Sequence, residues 1–301
     1  MAERGAAQRL TRRVFLYPVQ GLFIGLLFLI CRYMPINWAS ALGAWIFSFV
    51  GPRLRADKVA RRNLKRCYPN MTQEELDRTV SAVWENLGRG AGEWGQVDLI
   101  PTKGPNSRVE IVGEEIMNKV IADGGPFIAV SAHMGNWEIG SLVPAQRGAP
   151  MVNVYRTASI PIVDFLFRKI RGRFSREMIP KGRANARRII AALKEGHPLG
   201  LLVDQKLNEG LPIPFFGRDA MTPSAPAELA LRFNCPLIPV RIERLPNVRF
   251  RLTIYPPMEF PETGNRKEDV RILLTRINAM IEGWIRERPE QWFWVHRRWP
   301  D

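Results

Sequence analysis

Beyond Pro105 short apolar runs and helical stretches take turns along the chain, and this alternation constrains the fold more than any other feature. Residues 109–112, 127–132, 151–155, 199–203, 236–242 and 250–255 read as strands. Between and after them, residues 114–122, a stretch from near Trp137, 161–170, 184–195 and 269–286 carry helical patterns. The run Phe127-Ile-Ala-Val-Ser-Ala132 is apolar almost throughout, as a strand covered on both faces requires. Strands alternating with helices predict an α/β domain with a largely parallel central sheet flanked by helices. Upstream, residues 72–97 read as a helix. Thr72 and Glu75 have the spacing of a capping box, and Leu76, Val80, Val83 and Leu87 keep a helical period. Gly88, Gly90, Gly92 and Gly95 weaken its second half.

The first sixty or so residues have a different texture. Residues 14–30 carry no charge and just reach the length a membrane span needs, roughly 17–25 residues. Arg12 and Arg13 flank one end and Arg32 the other, with Tyr17 and Tyr33 where interfacial aromatics belong. A second apolar stretch, residues 36–50, includes Trp38, Trp45, Phe47 and Phe49 and reads as a helix lying in or just under the interface. A cleaved signal peptide is the competing reading. Its site at Ala39-Ser40-Ala41 lies too far past the first apolar run, and the chain beyond that site is apolar and then basic. Through Arg66 there are twelve basic residues against Glu3 and Asp57, a surplus of ten. Such a run is attracted to anionic membrane lipid and marks the cytoplasmic side. The expected organisation is a membrane anchor with a basic juxtamembrane helix over 1–66 and an α/β domain over 67–301, facing the cytoplasm.

The whole chain carries a net charge of +15. That surplus suits anionic lipid, a phosphorylated substrate or an acidic carrier protein. Nucleic acid is set aside, because zinc-finger spacing, an RNA-binding signature and a helix-turn-helix are all missing from the sequence. Cys31, Cys67 and Cys235 are odd in number and far apart, which argues against a disulfide framework or a cysteine metal site. No cofactor or metal is called for.

Chemistry concentrates after residues 127–132. His133 stands at the carboxyl end of that strand, where open α/β sheets bind ligands. Met134-Gly135-Asn136 then turns the chain toward a helix, with Glu138 in its first turn. Gly135 eases a corner that would fold Glu138 back onto the imidazole, fixing its tautomer and freeing the other nitrogen to take a proton from a hydroxyl. A base without a serine or cysteine partner suits direct attack by a substrate hydroxyl. The plainer reading is a capped strand end with a satisfied histidine. Arg156 and the pair Asp204-Gln205 end strands at the same edge, and a guanidinium there suits a phosphate. Lys181, Arg183, Arg187 and Arg188 form a basic cluster facing lipid phosphate, carrier or solvent. His197 reads as a loop residue, and His296, among Trp292, Trp294 and Trp299, sits against a membrane or under the site.

The segment His133-Met-Gly-Asn-Trp-Glu138 resembles the His-x-x-x-x-Asp/Glu motif of glycerolipid acyltransferases, and in this form the late acyltransferases of lipid A biosynthesis, the lauroyl/myristoyl group. The resemblance includes Val154-Tyr155-Arg156, Asp204-Gln205, Pro214-Phe-Phe-Gly217, Thr222, Pro236-Leu-Ile-Pro239 and Pro289-Glu-Gln-Trp-Phe-Trp-Val-His296, in order along the whole chain. It implies acyl transfer from an acyl carrier protein thioester to a hydroxyl of a phosphorylated glycolipid, at the bacterial inner membrane. By the same resemblance His133 is the base and Glu138 its partner. Arg156, Asp204 and Gln205 line the acceptor site, and Asn136 and Lys181 complete the substrate-binding set. A glycerolipid or mannolipid acyltransferase with the same base is the nearest alternative; a non-catalytic lipid-binding protein is a more distant one.

Overall fold

A computed structural model describes residues 17–299. Its strands are β1 (Val109–Val112), β2 (Ile128–Ser131), β3 (Val152–Tyr155), β4 (Glu177–Pro180), β5 (Leu199–Leu202), β6 (Leu211–Phe215), β7 (Arg218–Thr222), β8 (Leu237–Leu245) and β9 (Arg249–Ile254). Seven form one sheet in the order β1-β9-β8-β2-β5-β3-β4. Only β8 and β9 pair antiparallel in it; the remaining neighbours are parallel. The expected α/β architecture with a mostly parallel sheet is what the chain adopts. Along β2 alternate residues serve opposite faces, as the period of a strand dictates. Ile128 and Val130 join one core cluster and Ala129 joins the other.

The ribbon β6–β7 escapes a reading from pattern, because Pro212 and Pro214 speak against a strand. It is a separate two-stranded hairpin, whose ladder is short enough to tolerate missing donors. Phe216 and Gly217 close it with φ of 53° and 68°, the positive pair that a two-residue hairpin turn requires.

The helices are α1 (Tyr17–Tyr33), α2 (Ile36–Val50), α3 (Arg55–Cys67), α4 (Gln73–Trp94), α5 (Glu114–Ala122), α6 (Ile139–Ala145), α7 (Pro161–Arg171), α8 (Ala186–Lys194), α9 (Ala225–Phe233) and α10 (Arg266–Glu287). The capping box at Thr72 and Glu75 forms as expected. The glycines that weaken α4 in isolation are where α2 crosses it. A Cβ on Gly43 would collide with the backbone of Gly88, and one on Gly92 with the carbonyl of Ala39. In the same seam Ser40 donates to the fully buried Glu93 at 2.7 Å. Tertiary packing thus outweighs helix propensity here. The boundary expected at residue 66 falls in the last turn of α3, whose Ala60, Leu64 and Cys67 lie in the main core. Asn63 of that helix donates to the carbonyls of Trp294 and His296 at 3.0 and 2.8 Å. Helices α2 and α3 are therefore packed into the α/β body.

Among the described residues no helix is long and apolar enough to cross a membrane. Helix α1 has 17 residues, and at about 1.5 Å per residue it falls short of a hydrocarbon core roughly 30 Å thick. Residues 14–16 of the expected anchor, with Arg12 and Arg13, lie outside the described residues. Leu22, Phe23 and Leu26 on α1, and Trp38, Trp45 and Phe49 on α2, are each more than half exposed. The three cysteines are buried and unpaired, and burial pushes the Cys67 thiol up to about 12.

Candidate active site

The strands β2, β5, β3 and β4 lie side by side and parallel, so their carboxyl ends share one edge. His133 leaves β2 there, Asp204 and Gln205 follow β5, Arg156 follows β3 and Lys181 follows β4. Residues scattered over seventy positions converge through topology alone.

The corner after β2 is built on Gly135. Its φ of 56° is left-handed, its N–H donates to the Gln291 carbonyl at 3.0 Å, and a Cβ would lie only 3.1 Å from the backbone of Ile242 and Arg244. Gln291 in turn brackets Arg244, accepting its N–H at 2.7 Å and donating to its carbonyl at 3.0 Å. The corner therefore rests on the C-terminal segment, which also bridges Met134 to Trp292 and sends the Phe293 N–H to the His133 carbonyl at 3.1 Å. The rings of Trp137 and Phe293 stand 5.1 and 5.9 Å from the imidazole.

The carboxylate that meets His133 is Asp204. Its Oδ1 lies 2.7 Å from Nδ1, and its Oδ2 accepts the His133 backbone N–H at 2.9 Å and the Trp292 Nε1–H at 2.7 Å. Burial alone would raise this carboxyl, but His133 and the three donors overcome it and hold Asp204 well below the usual carboxylate range. Gln205 places its amide nitrogen 3.3 Å from His133 Nε2.

The expected contact between Glu138 and His133 does not form. Glu138 precedes α6, and its carboxylate receives Arg171 of α7 in a two-pronged ion pair, with Nε at 2.9 Å from Oε2. A guanidinium offers a carboxylate two parallel charged donors where an imidazole offers one, so the arginine is the stronger partner. Burial opposes the charge of Arg171, and Glu138 more than compensates, raising its pKa.

Other expectations also shift. Asn136 is buried and donates its amide to Glu93 at 2.9 Å, so it braces the corner from inside instead of facing a substrate. Glu93 also receives Arg244 Nη2 at 2.9 Å. Asp204 has both oxygens engaged inside the protein, by His133 and by Trp292. Arg156 and Lys181 stand on adjacent strands one residue past the paired Tyr155 and Pro180, and both are exposed. The Lys181 ammonium sits below its ordinary value, through partial desolvation first and the Arg156 charge second, with Glu209 opposing. Of the basic cluster, Arg188 is tied to Glu177 and Glu195 at 2.9 Å. His197 is a turn residue beside Glu195, 3.4 Å away.

Arg171 and Glu93 carry no signal that singles them out, while Gln291 and Trp292 lie in the segment 289–296 that carries the resemblance without any sign there of what they touch. Arg171 is one of several basic residues on its helix, and Trp292 belongs to a tryptophan-rich end whose ordinary meaning is packing.

The family described as bacterial lipid A biosynthesis acyltransferase matches residues 10–301. The chain is 26% identical over 287 residues to the lipid A biosynthesis lauroyltransferase of Escherichia coli K12, covering 94% of this chain and 91% of that one. It is 27% identical over 295 residues to the palmitoleoyltransferase of the same organism, covering 95% and 93%. With the myristoyltransferase of that organism it shares 23% over 257 residues, covering 80% and 75%. A looser likeness in shape, TM-score 0.37 at 16% identity, is to the crystal structure of the 1-acyl-sn-glycerophosphate acyltransferase of Thermotoga maritima, covering 82% and 98%.

Proposed function

Because the chain belongs to the bacterial lipid A biosynthesis acyltransferase family, we propose that it moves a fatty acyl chain from an acyl carrier protein thioester to a hydroxyl of a lipid A precursor, with His133 as general base. It is an acyltransferase of lipid A biosynthesis; the donor and the base are what the proposal adds.

The observation that carries the mechanism is the 2.7 Å contact between His133 Nδ1 and Asp204. A carboxylate on Nδ1 keeps the proton there and leaves the Nε2 lone pair for the acceptor hydroxyl. As the hydroxyl oxygen attacks the thioester carbonyl, Nε2 takes its proton, and Asp204 stabilises the imidazolium without itself being protonated. Collapse of the tetrahedral intermediate forms the ester and expels the carrier thiolate, which takes the proton back from Nε2. Gln205 turns its amide from the imidazole to the incoming oxygen. The Glu138–Arg171 pair holds the start of α6 against α7 behind this edge.

Arg156 and Lys181 supply adjacent positive charge at the acceptor side, a match for the phosphate of a phosphorylated glycolipid. The surplus of +15 favours encounter with an acidic carrier. The exposed apolar faces of α1 and α2 rest in the cytoplasmic leaflet of the bacterial inner membrane, where the acceptor lies and anionic lipid meets the basic residues.

The test is a reconstituted transfer. Full-length protein in detergent, given an acyl carrier protein thioester and a phosphorylated hydroxyacyl glycolipid, adds one acyl mass to the acceptor by mass spectrometry. The rate falls as salt screens the carrier's approach. Acyl-CoA used equally well with no salt effect overturns the donor assignment and favours a glycerolipid-type enzyme.

A further inference from the structure

The groups that flank both imidazole nitrogens of His133 sit on adjacent residues of one loop. Asp204 faces Nδ1, Gln205 faces Nε2, and the next residue, Lys206, donates its backbone N–H to His296 Nε2 at 3.1 Å. The sheet cannot hold this loop. Strand β5 ends at Leu202, Val203 makes the last bond across to Ser131 at 3.0 Å, and Leu207 next bonds Met221 at 3.2 Å. Among the described hydrogen bonds, the one from Lys206 to His296 is the only one made by the main chain of residues 204–206.

His296 arrives on a well-anchored strap. Its carbonyl accepts Asn63 Nδ2 at 2.8 Å and the Arg298 N–H at 3.0 Å. The fully buried Arg298 grips the Met221 carbonyl and Thr222 Oγ1 at 2.7 and 2.8 Å, next to where Leu207 rejoins the hairpin. The strap thus carries Trp292 against Asp204 and His296 against Lys206, gripping the loop at two places.

We infer that His296 is a positioning residue for acyl transfer: by accepting the Lys206 N–H it fixes the loop that sets Asp204 and Gln205 against the two nitrogens of His133. The inference rests on the reading of His133 as the base. The His296 ring must be neutral with the lone pair on Nε2, and burial favours that form, drawing its pKa down to about 4. A general base works through fixed geometry, and displacement of about 1 Å in such a constellation costs on the order of a hundredfold.

Three variants of the full-length protein separate this role from packing. His296→Gln brings its Oε1 to where Nε2 stands, His296→Asn stops one bond short, and His296→Leu removes the acceptor. With an acyl carrier protein thioester and a hydroxyacyl glycolipid as substrates, the Asn and Leu variants lose about tenfold or more in kcat. Their KM for either substrate stays within about twofold, because neither substrate touches His296. The Gln variant recovers most of the lost kcat, while the Asn and Gln variants share one thermal midpoint. Equal kcat in the Asn and Gln variants, or a loss carried by KM, overturns the inference. If the Leu variant does not fold, the Asn and Gln pair still decides. Full activity in His133→Ala would remove the base itself. Inactivity there, with wild-type kcat in His296→Asn, would remove only the role of His296.

Discussion

His133 Nδ1 meets Asp204 Oδ1 at 2.7 Å across 71 residues of sequence, while Glu138, five residues away, turns to Arg171. Asp204 is nearly inaccessible, at 2% exposure, and accepts from three donors, so it stays ionised and cannot swing to another partner. Replacing it with Asn keeps the shape and inverts the logic: an amide donor facing Nδ1 selects the wrong tautomer. Asp204→Asn is expected to lower kcat by about a thousandfold or more, and His133→Ala by at least about a hundredfold, with KM little changed. Single-turnover rates check this, and an Asn variant within tenfold of wild type would sink the pairing.

The ion pair of Glu138 and Arg171 calls for a stability measurement. Their side chains are 9% and 17% exposed, so removing one partner strands a charge in a poorly solvated place, at a cost of about 2–4 kcal/mol. Glu138→Gln and Arg171→Met should each show such a loss in urea unfolding. The double variant should lose much less than the sum, because no charge remains uncompensated. Additive losses would mean that the two side chains do not depend on each other.

The parts that were legible in the sequence are those that depend on neighbours along the chain. Strand and helix periods, the Thr72–Glu75 cap and the placing of His133 at a strand end all come from local pattern. The partner of His133 does not, because adjacency of β2 and β5 is a matter of sheet order, and a short-range motif draws the eye to Glu138 instead. Gly88 and Gly92 read as weak helix until α2 is laid across them. Trp292 and His296 lie in a segment that reads as sitting against a membrane or under the site, and nothing in that segment shows that Asp204 and Lys206 lie opposite.

Acidification provides a further test through His296. Burial first, then the charge of His133, lower its pKa from 6.5 to about 4, with Asp204 opposing. Between those values the unfolded chain binds a proton that the folded chain refuses, so stability rises with pH there and is lost as pH falls from 6.5 toward 4. The contribution of Asp204 points the same way and is lost only below its ordinary carboxylate value of 3.8. Unfolding in urea across pH 7 to 5 should show a loss of up to about 1.4 kcal/mol per pH unit from this group. His296→Gln should flatten that part of the slope. A variant with the wild-type slope would assign the effect elsewhere.

Membrane attachment needs a test that respects how α2 is packed. Deleting residues 1–50 would strip Gly43 and Ala39 from the seam with Gly88 and Gly92 and leave the buried Glu93 without Ser40. That truncation is expected to fail at folding, whatever it does to attachment. Substituting serine at Leu22, Phe23, Leu26, Trp38 and Trp45 leaves the seam intact, since these side chains are more than half exposed. Each large apolar side chain is worth about 1.5–3 kcal/mol when buried, and that term is not screened by salt. Basic residues near anionic lipid contribute about 1 kcal/mol each, and salt removes it. Wild-type protein should therefore float with vesicles containing anionic lipid at both low and high salt. The five-site variant, unfolding at the wild-type midpoint, should float only at low salt. If the variant still floated in high salt, the exposed faces of α1 and α2 would not be what holds the protein on the bilayer.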